Sequence, residues 1–252
     1  MEQPSTSTDA AAGLDDVAAH HEVISAARET WETVQILASL SAKAGAPTDN
    51  TRAQQLEFGK KIAQMKEKYK GAANAVGPGG FTPLLLVCMQ GRADDVTALL
   101  ALGADPTTEG DVSKNSDRAD PDQTYKCTAL MLAARDDRIE IIMTLFSTGR
   151  VDVNQASSDA GRTALFVACG HGAAASVKYL LAHNAIGVNR ARDDNVTPFF
   201  MACQYGHEEI VELMLARDEI DVHKSPSVGA TPFFIACQNE HAETVKLLLV
   251  GN

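Results

Sequence analysis

Thr231-Pro232-Phe233-Phe234-Ile235-Ala236-Cys237-Gln238 decides the fold, because the chain repeats it. Thr197-Pro198-Phe199-Phe200-Met201-Ala202-Cys203-Gln204 is nearly the same string 34 residues earlier, and weaker copies open at Thr163, Thr128 and Thr82. The threonines are 46, 35, 34 and 34 residues apart. A fixed period of that size is the signature of a stacked solenoid, in which each unit buries its apolar face against its neighbours.

Each copy has its own physical logic. The threonine hydroxyl can cap a helix, and the next residue, proline in three copies, suits the first helical turn. An apolar-rich helix follows, and Gly91, Gly172 and Gly206 stand where a left-handed residue ends one. A second helix then repeats an i, i+3, i+4 stripe: Val96/Leu99/Leu100, Ile142/Leu145/Phe146, Val177/Leu180/Leu181, Val211/Met214/Leu215 and Val245/Leu248/Leu249. Turn residues such as Gly103-Ala104-Asp105 and Val151-Asp152-Val153-Asn154 lead to the next copy. The unit is helix, tight turn, helix, extended finger.

At this point the chain resembles the ankyrin repeat family, through Gly-x-Thr-Pro before helix one, Gly206-His207 between the helices, and Leu-Leu followed by Gly-Ala-Asp after helix two. The resemblance covers residues 79–252 as four full repeats and one that stops early. It implies an all-α ankyrin-type solenoid of about five helix-turn-helix repeats. The family's usual histidine after Thr-Pro-Leu is replaced by Leu85, Met131, Phe166, Phe200 and Phe234, so packing is expected in place of a hydrogen bond. Asp137 and Glu240 stand where the inter-helix glycine belongs, which predicts mildly strained turns.

The net charge is −11 and falls mostly on the repeats. Residues 1–78 hold 10 acids against 8 Lys and Arg, and residues 79–252 hold 23 against 14. An acidic repeat surface argues against nucleic acid or anionic membrane as main partner and favours a protein with a basic patch. No apolar run approaches the length of a membrane span. Cys88, Cys169, Cys203 and Cys237 all lie six residues after their threonines. Stacked helices are roughly 8–10 Å apart, beyond the roughly 7 Å Cα limit for a disulfide. These thiols are therefore expected to be buried apolar residues, not a redox pair or metal set. Cys127 lies off this column and is expected nearer the surface. A cytoplasmic protein fits, with the nucleus as the other choice.

Residues 1–12 are polar and aperiodic and are expected to be disordered. Residues 13–78 read as a helical hairpin capping the first repeat, one helix over Leu14–Lys43 and another over Thr51–Tyr69, with a partner-binding or coiled-coil module as the rival reading. The 105–126 insertion lengthens one finger; it is polar and lacks the residue order of a calcium loop. His171, His207 and His241 recur at or beside the inter-helix turns and read as structural. No cofactor, metal or nucleophile motif is present, and repetition across five units is hard to reconcile with a single active site, so the chain is read as non-enzymatic.

The resemblance implies recognition through a concave groove lined by finger ends and first-helix ends. On this chain the positions are Phe81, Arg162 and Val196 before the threonines, and Met89, Gln90, Arg135, Asp136, His171, Gln204, Tyr205, Gln238 and Asn239 at the helix ends. The bland alternative is ordinary solvated surface. The leading function is a protein-protein adaptor or scaffold. The alternatives are an assembly subunit held through an uncapped last repeat, or the ankyrin segment of a longer enzyme or signalling protein.

Overall fold

Thr82, Thr128, Thr163, Thr197 and Thr231 each open a helix by accepting the backbone N–H three residues on, at 3.4, 3.3, 3.2, 3.0 and 3.1 Å. All five sit in extended backbone, as an N-cap must, and Pro83, Pro198 and Pro232 occupy the first turn, where no N–H is missed. Each such cap stabilises its helix by about 1 kcal/mol. The repeated threonine is thus the start signal of the repeated unit.

The computed structural model describes residues 21, 24–25, 72–76, 80–111, 125–224, 226 and 230–250. The expected disorder over 1–12, almost all of the hairpin over 13–78, and the centre of the 105–126 insertion lie outside the described residues. The chain divides into two units, Met1–Gly110 and Asp111–Asn252.

In the first unit, α1 (Pro83–Gln90) and α2 (Ala93–Ala101) form one helix pair, turned at Gly91 with φ 71°. Strand β1 (Gly110–Asp111) lies at the boundary, and β2 (Lys126–Cys127) enters the second unit. There follow four helix pairs: α3 (Ala129–Arg135) with α4 (Ile139–Ser147), α5 (Ala164–His171) with α6 (Ala174–Leu181), α7 (Pro198–Tyr205) with α8 (Glu208–Leu215), and α9 (Pro232–Gln238) with α10 (Ala242–Val250).

Within the second unit the first helices α3, α5, α7 and α9 pack on one another in a row, and the second helices form a looser one. This is the all-α, ankyrin-type solenoid expected from the repeat. The second-helix stripes face inward: Ile142, Leu145, Val177, Leu180, Val211 and Met214 are fully buried. Removing one such side chain to Ala costs about 2–5 kcal/mol. At the position of the missing histidine, Leu85, Met131, Phe166 and Phe200 are buried, so packing fills the site. Phe234 is 55% exposed, because among the described residues nothing packs on the outer side of α9.

Two cysteine expectations are corrected. Cys127 is buried, not near the surface: along β2 successive side chains alternate, so Lys126 points out and Cys127 in. Cys237 is exposed although its counterparts Cys88, Cys169 and Cys203 are buried, since no further repeat covers it among the described residues.

The turns are locked from repeat to repeat. His207 Nε2 lies 3.3 Å from the Gly170 carbonyl oxygen and His241 Nε2 2.9 Å from that of Gln204. Each ring packs over the preceding left-handed glycine: a Cβ on Gly172 would lie 2.8 Å from His207 Cε1, and one on Gly206 2.5 Å from His241 Nδ1. Asp137 and Glu240 adopt left-handed backbone too, at φ 56° and 60°. For a residue with a Cβ that conformation costs about 1–2 kcal/mol.

The fingers carry an asparagine clamp. Asn154 donates to the Ala185 carbonyl (2.6 Å) and accepts from Gly187 N–H (2.7 Å), while Asn189 donates to Glu219 (2.5 Å) and accepts from Asp221 (2.9 Å). Asn74 does the same to Gly103 (3.1 Å) and Asp105 (2.7 Å) in the first unit. It precedes Thr82 by the same eight residues that separate Asn189 from Thr197.

Candidate protein-recognition surface

A first helix flanked by repeats on both sides can offer only its last turn and the finger leading into it, because the rest of it is enclosed by neighbours. In the second unit these exposed ends form a connected polar edge. Arg135 closes α3 and forms a bidentate pair with Asp136, Nε to Oδ1 at 2.8 Å and Nη2 to Oδ2 at 3.0 Å. The Tyr125 hydroxyl lies near enough to act on the same guanidinium. Burial works against the Arg135 charge, but Asp136 and Tyr125 outweigh it and raise its pKa. Burial likewise pushes the Tyr125 phenol up, only partly offset by Arg135 and Arg162.

The next finger supplies Arg162, whose guanidinium lies 5.1 Å from the centre of the Tyr125 ring. A contact of that kind stabilises by about 0.5–1 kcal/mol at an open site. Arg162 Nη1 also donates to Asp159 Oδ2 at 3.1 Å. Asp159 accepts further bonds from the Ser157 hydroxyl (2.6 Å) and from the Lys126 N–H of the previous finger (2.9 Å). Burial alone would raise its pKa, yet these donors hold the carboxyl below its ordinary value. One finger further on, Arg192 pairs with Asp194 and sits 5.6 Å from the centre of the Phe166 ring. The Arg192 bond lowers the Asp194 pKa, with Val196 N–H adding to it.

His171 closes α5. The residue as a whole is exposed, but its Nδ1 turns inward to the Val167 carbonyl oxygen at 2.9 Å. Burial of that edge, with Arg135 and His207 nearby, lowers its pKa despite the Val167 bond and Asp136. Tyr205 closes α7, is 51% exposed, and stacks on His207 with centroids 6.1 Å apart. The Gln204 carbonyl oxygen accepts from Asn239 Nδ2 (2.8 Å) as well as from His241.

The expected groove positions thus separate into classes. Arg135 and Arg162 come together at Tyr125, Asp136 and His171 stand beside Arg135, and Gln204, Tyr205 and Asn239 lie at the later helix ends with the exposed Gln238. Val196 is buried and presents little surface. In the first unit Phe81 is buried too, Met89 is half-buried, and the exposed Gln90 accepts from Arg92 at 3.0 Å. Sequence reasoning missed Tyr125, Asp159, Arg192 and Asp194. Tyr125 carried a usable signal: it is an aromatic residue just before β2, three residues ahead of the capping Thr128.

Each arginine of this edge is matched by its own aspartate, so the edge carries little net charge. The acidic surplus lies instead on the second helices, at exposed Glu140, Glu208, Glu209, Glu212 and Glu243. Among the described residues no three His, Cys, Asp or Glu side chains converge as a metal ion would need, and no helix is long and apolar enough to cross a membrane.

No curated protein matches the chain. A family model described as ankyrin repeats, three copies, matches residues 111–191 and again residues 183–252, together more than half of the sequence. The matched span coincides with the second unit, whose capped helix pairs, left-handed turns and clamped fingers have just been described. The chain belongs to the ankyrin repeat family.

Proposed function

We propose that the chain is a non-enzymatic protein-recognition module, an adaptor or scaffold, and that the second unit meets its partner along the edge formed by Tyr125, Arg135, Asp136, Arg162, His171 and Tyr205. Ankyrin repeats are in general protein-protein interaction modules. The observation that carries the reading is this edge of charged and aromatic groups held in place by one another, with Tyr205 half open as an anchor. Rigid aromatic and arginine side chains are the residues that most often dominate such interfaces. A basic patch on the partner would suit the acidic second helices, not the charge-balanced edge. Five free thiols suit a reducing compartment, cytoplasm or nucleus.

The test is affinity capture from native cells with wild type and with Arg162→Glu plus Tyr205→Ala. Loss of specific partners by the folded double variant supports the edge. Unchanged recovery rejects it.

A second reading rests on a different observation. In the last helix pair Phe233, Phe234, Leu249 and Val250 are 39, 55, 64 and 86% exposed. Exposed apolar side chains, where they join into one patch, mark interaction sites, and these support an assembly role through the last repeat. Sedimentation of wild type against Phe234→Asp decides it: a mass that the substitution does not lower ends self-association.

A further inference from the structure

The helix pair α9–α10 leaves in the open the same positions that the pair before it buries. Phe233 and Phe234 are 39 and 55% exposed, whereas their counterparts one period earlier, Phe199 and Phe200, are 0 and 5% exposed. Cys237 is exposed and Cys203 buried; Leu249 is exposed and Leu215 half-buried. The earlier pairs of the second unit agree, since Leu130, Met131, Leu165 and Phe166 are all buried. What packs on α7 and α8 from that side is α9 with α10. The open positions therefore belong to one face, and inside the array that face is covered by one kind of object, a helix pair of the same type.

The sequence selects the occupant further. Pro198–Gln204 and Pro232–Gln238 differ only at Met201 and Ile235, so α9 repeats the Phe, Phe and Cys of the α7 face. The surface that already fits this face is the side that α9 turns to the array, where its buried residues, Pro232 and Ala236, are small. Large groups thus meet small ones, as close packing requires. A second copy of the chain lacks that match. Face to face, it sets phenyl rings against phenyl rings. Head to tail, it needs an open approach side on its first helix pair, but Pro83 and Val87, the counterparts of Pro232 and Ala236, are buried within the first unit.

We propose that Phe233, Phe234, Cys237 and Leu249 form a docking face for an ankyrin-type helix pair of a different polypeptide, stacked on α9–α10 as that pair stacks on α7–α8. The proposal rests on the reading of the last repeat as an assembly site, and it gives that site a partner other than a second copy. The docked first helix brings a small residue to the position that Ala236 holds. Its turn brings a histidine to the Gln238 carbonyl, as His241 is brought to that of Gln204 at 2.9 Å.

The first arm of the experiment asks whether the face accepts that shape. Residues 219–252 are repeated after Asn252, which keeps the 34-residue period, with Cys237→Ser in the added copy. The original Cys237 should then react with Ellman's reagent slower by about tenfold or more, because a covered thiol is out of reach. Ala236→Phe in the added copy should restore the fast reaction. A thiol that stays fast in the extended chain, or slow despite the added phenyl ring, overturns the proposal.

The second arm asks what docks. The chain with Cys237→Ser and Asn239→Cys carries a thiol-linked photocrosslinker beside the face and is irradiated in extract of native cells. Mass spectrometry identifies the joined polypeptide. A different chain bearing an ankyrin-type helix pair, and lost when the chain also carries Phe234→Asp, supports the proposal. A second copy of this chain, a polypeptide without such a pair, or no joined chain overturns it. Sedimentation as a monomer ends self-association and leaves this proposal standing, whereas a joined second copy does the reverse, so the two failures are distinguishable.

Discussion

The carboxylate of Asp137 accepts the backbone N–H of Ser176 at 2.6 Å, from the turn of one repeat to the first turn of α6 in the next. Ala173, at the start of α6, has no side chain that can cap it, so Asp137 does the capping from outside. This explains an aspartate where the repeat expects glycine. Left-handed backbone costs about 1–2 kcal/mol, and the cap returns about 1 kcal/mol. Glu240 has the same backbone strain, and among the described residues its side chain caps no helix in this way. Asp137→Gly is therefore expected to be near neutral, Asp137→Ala to lose about 1 kcal/mol, and Glu240→Gly to gain about 1 kcal/mol. Urea denaturation midpoints give the order, and equal responses at the two glycine substitutions would refute it. The bond uses the Ser176 backbone, and the Ser176 hydroxyl is buried with no partner among the described residues. Ser176→Ala should then be neutral or stabilising by up to about 1 kcal/mol.

Gly149 and Gly206 share left-handed backbone, at φ 63° and 67°, but differ in what surrounds them. A Cβ on Gly149 meets nothing within 4 Å, whereas one on Gly206 meets the His241 ring at 2.5 Å. Gly149→Ala should cost only the backbone term, about 1 kcal/mol. Gly206→Ala should cost about 1–3 kcal/mol more, the usual penalty of overpacking, and should release His241 from the Gln204 carbonyl. Thermal melts measure the first difference and the His241 ring signal the second.

The thiols report on the stack. Burial pushes the Cys88 and Cys169 thiols well above the ordinary range and Cys203 up to about 12. Buried thiols are inert because the reactive thiolate is scarce and reagent cannot reach it. Ellman's reagent should find one fast thiol in the native protein, Cys237, and all five after unfolding. Cys237→Ser should abolish the fast phase, and a fast phase that survives it would mean an inner repeat opens readily.

His171 sets an acid limit. Its folded pKa lies below the unfolded value, with burial of the ring as the main cause. As pH falls, the unfolded chain binds this proton first, so stability is lost. The His171 contribution is complete above the ordinary imidazole pKa of about 6.5 and disappears as pH drops through the lower folded value. Denaturation midpoints should decline more steeply in that window for wild type than for His171→Gln.

The repeated unit was legible in the sequence because its start and stop signals are local. Thr197 caps through a bond three residues long, and Gly206 ends α7 through its own φ. The candidate edge was half legible. Arg162 and Tyr205 follow from position in the repeat, but Tyr125 joins Arg162 only when successive fingers stack, a relation between residues 37 apart. Cys127 and Cys237 were misread for opposite reasons. Strand alternation turned the first inward, and the second is left in the open because no further repeat covers it among the described residues. The role of Asp137 was hidden as well: its strain was visible as a departure from the pattern, its compensation lay in the next repeat.

Pro198–Tyr205 and Pro232–Gln238 are almost the same helix, and they pack on each other. A surface that fits a near copy of itself needs no new contacts to grow. Splicing in a second set of residues 197–230 would present Phe199 and Phe200 to a mate they already accept, so gene duplication could lengthen this array one period at a time without redesigning any joint.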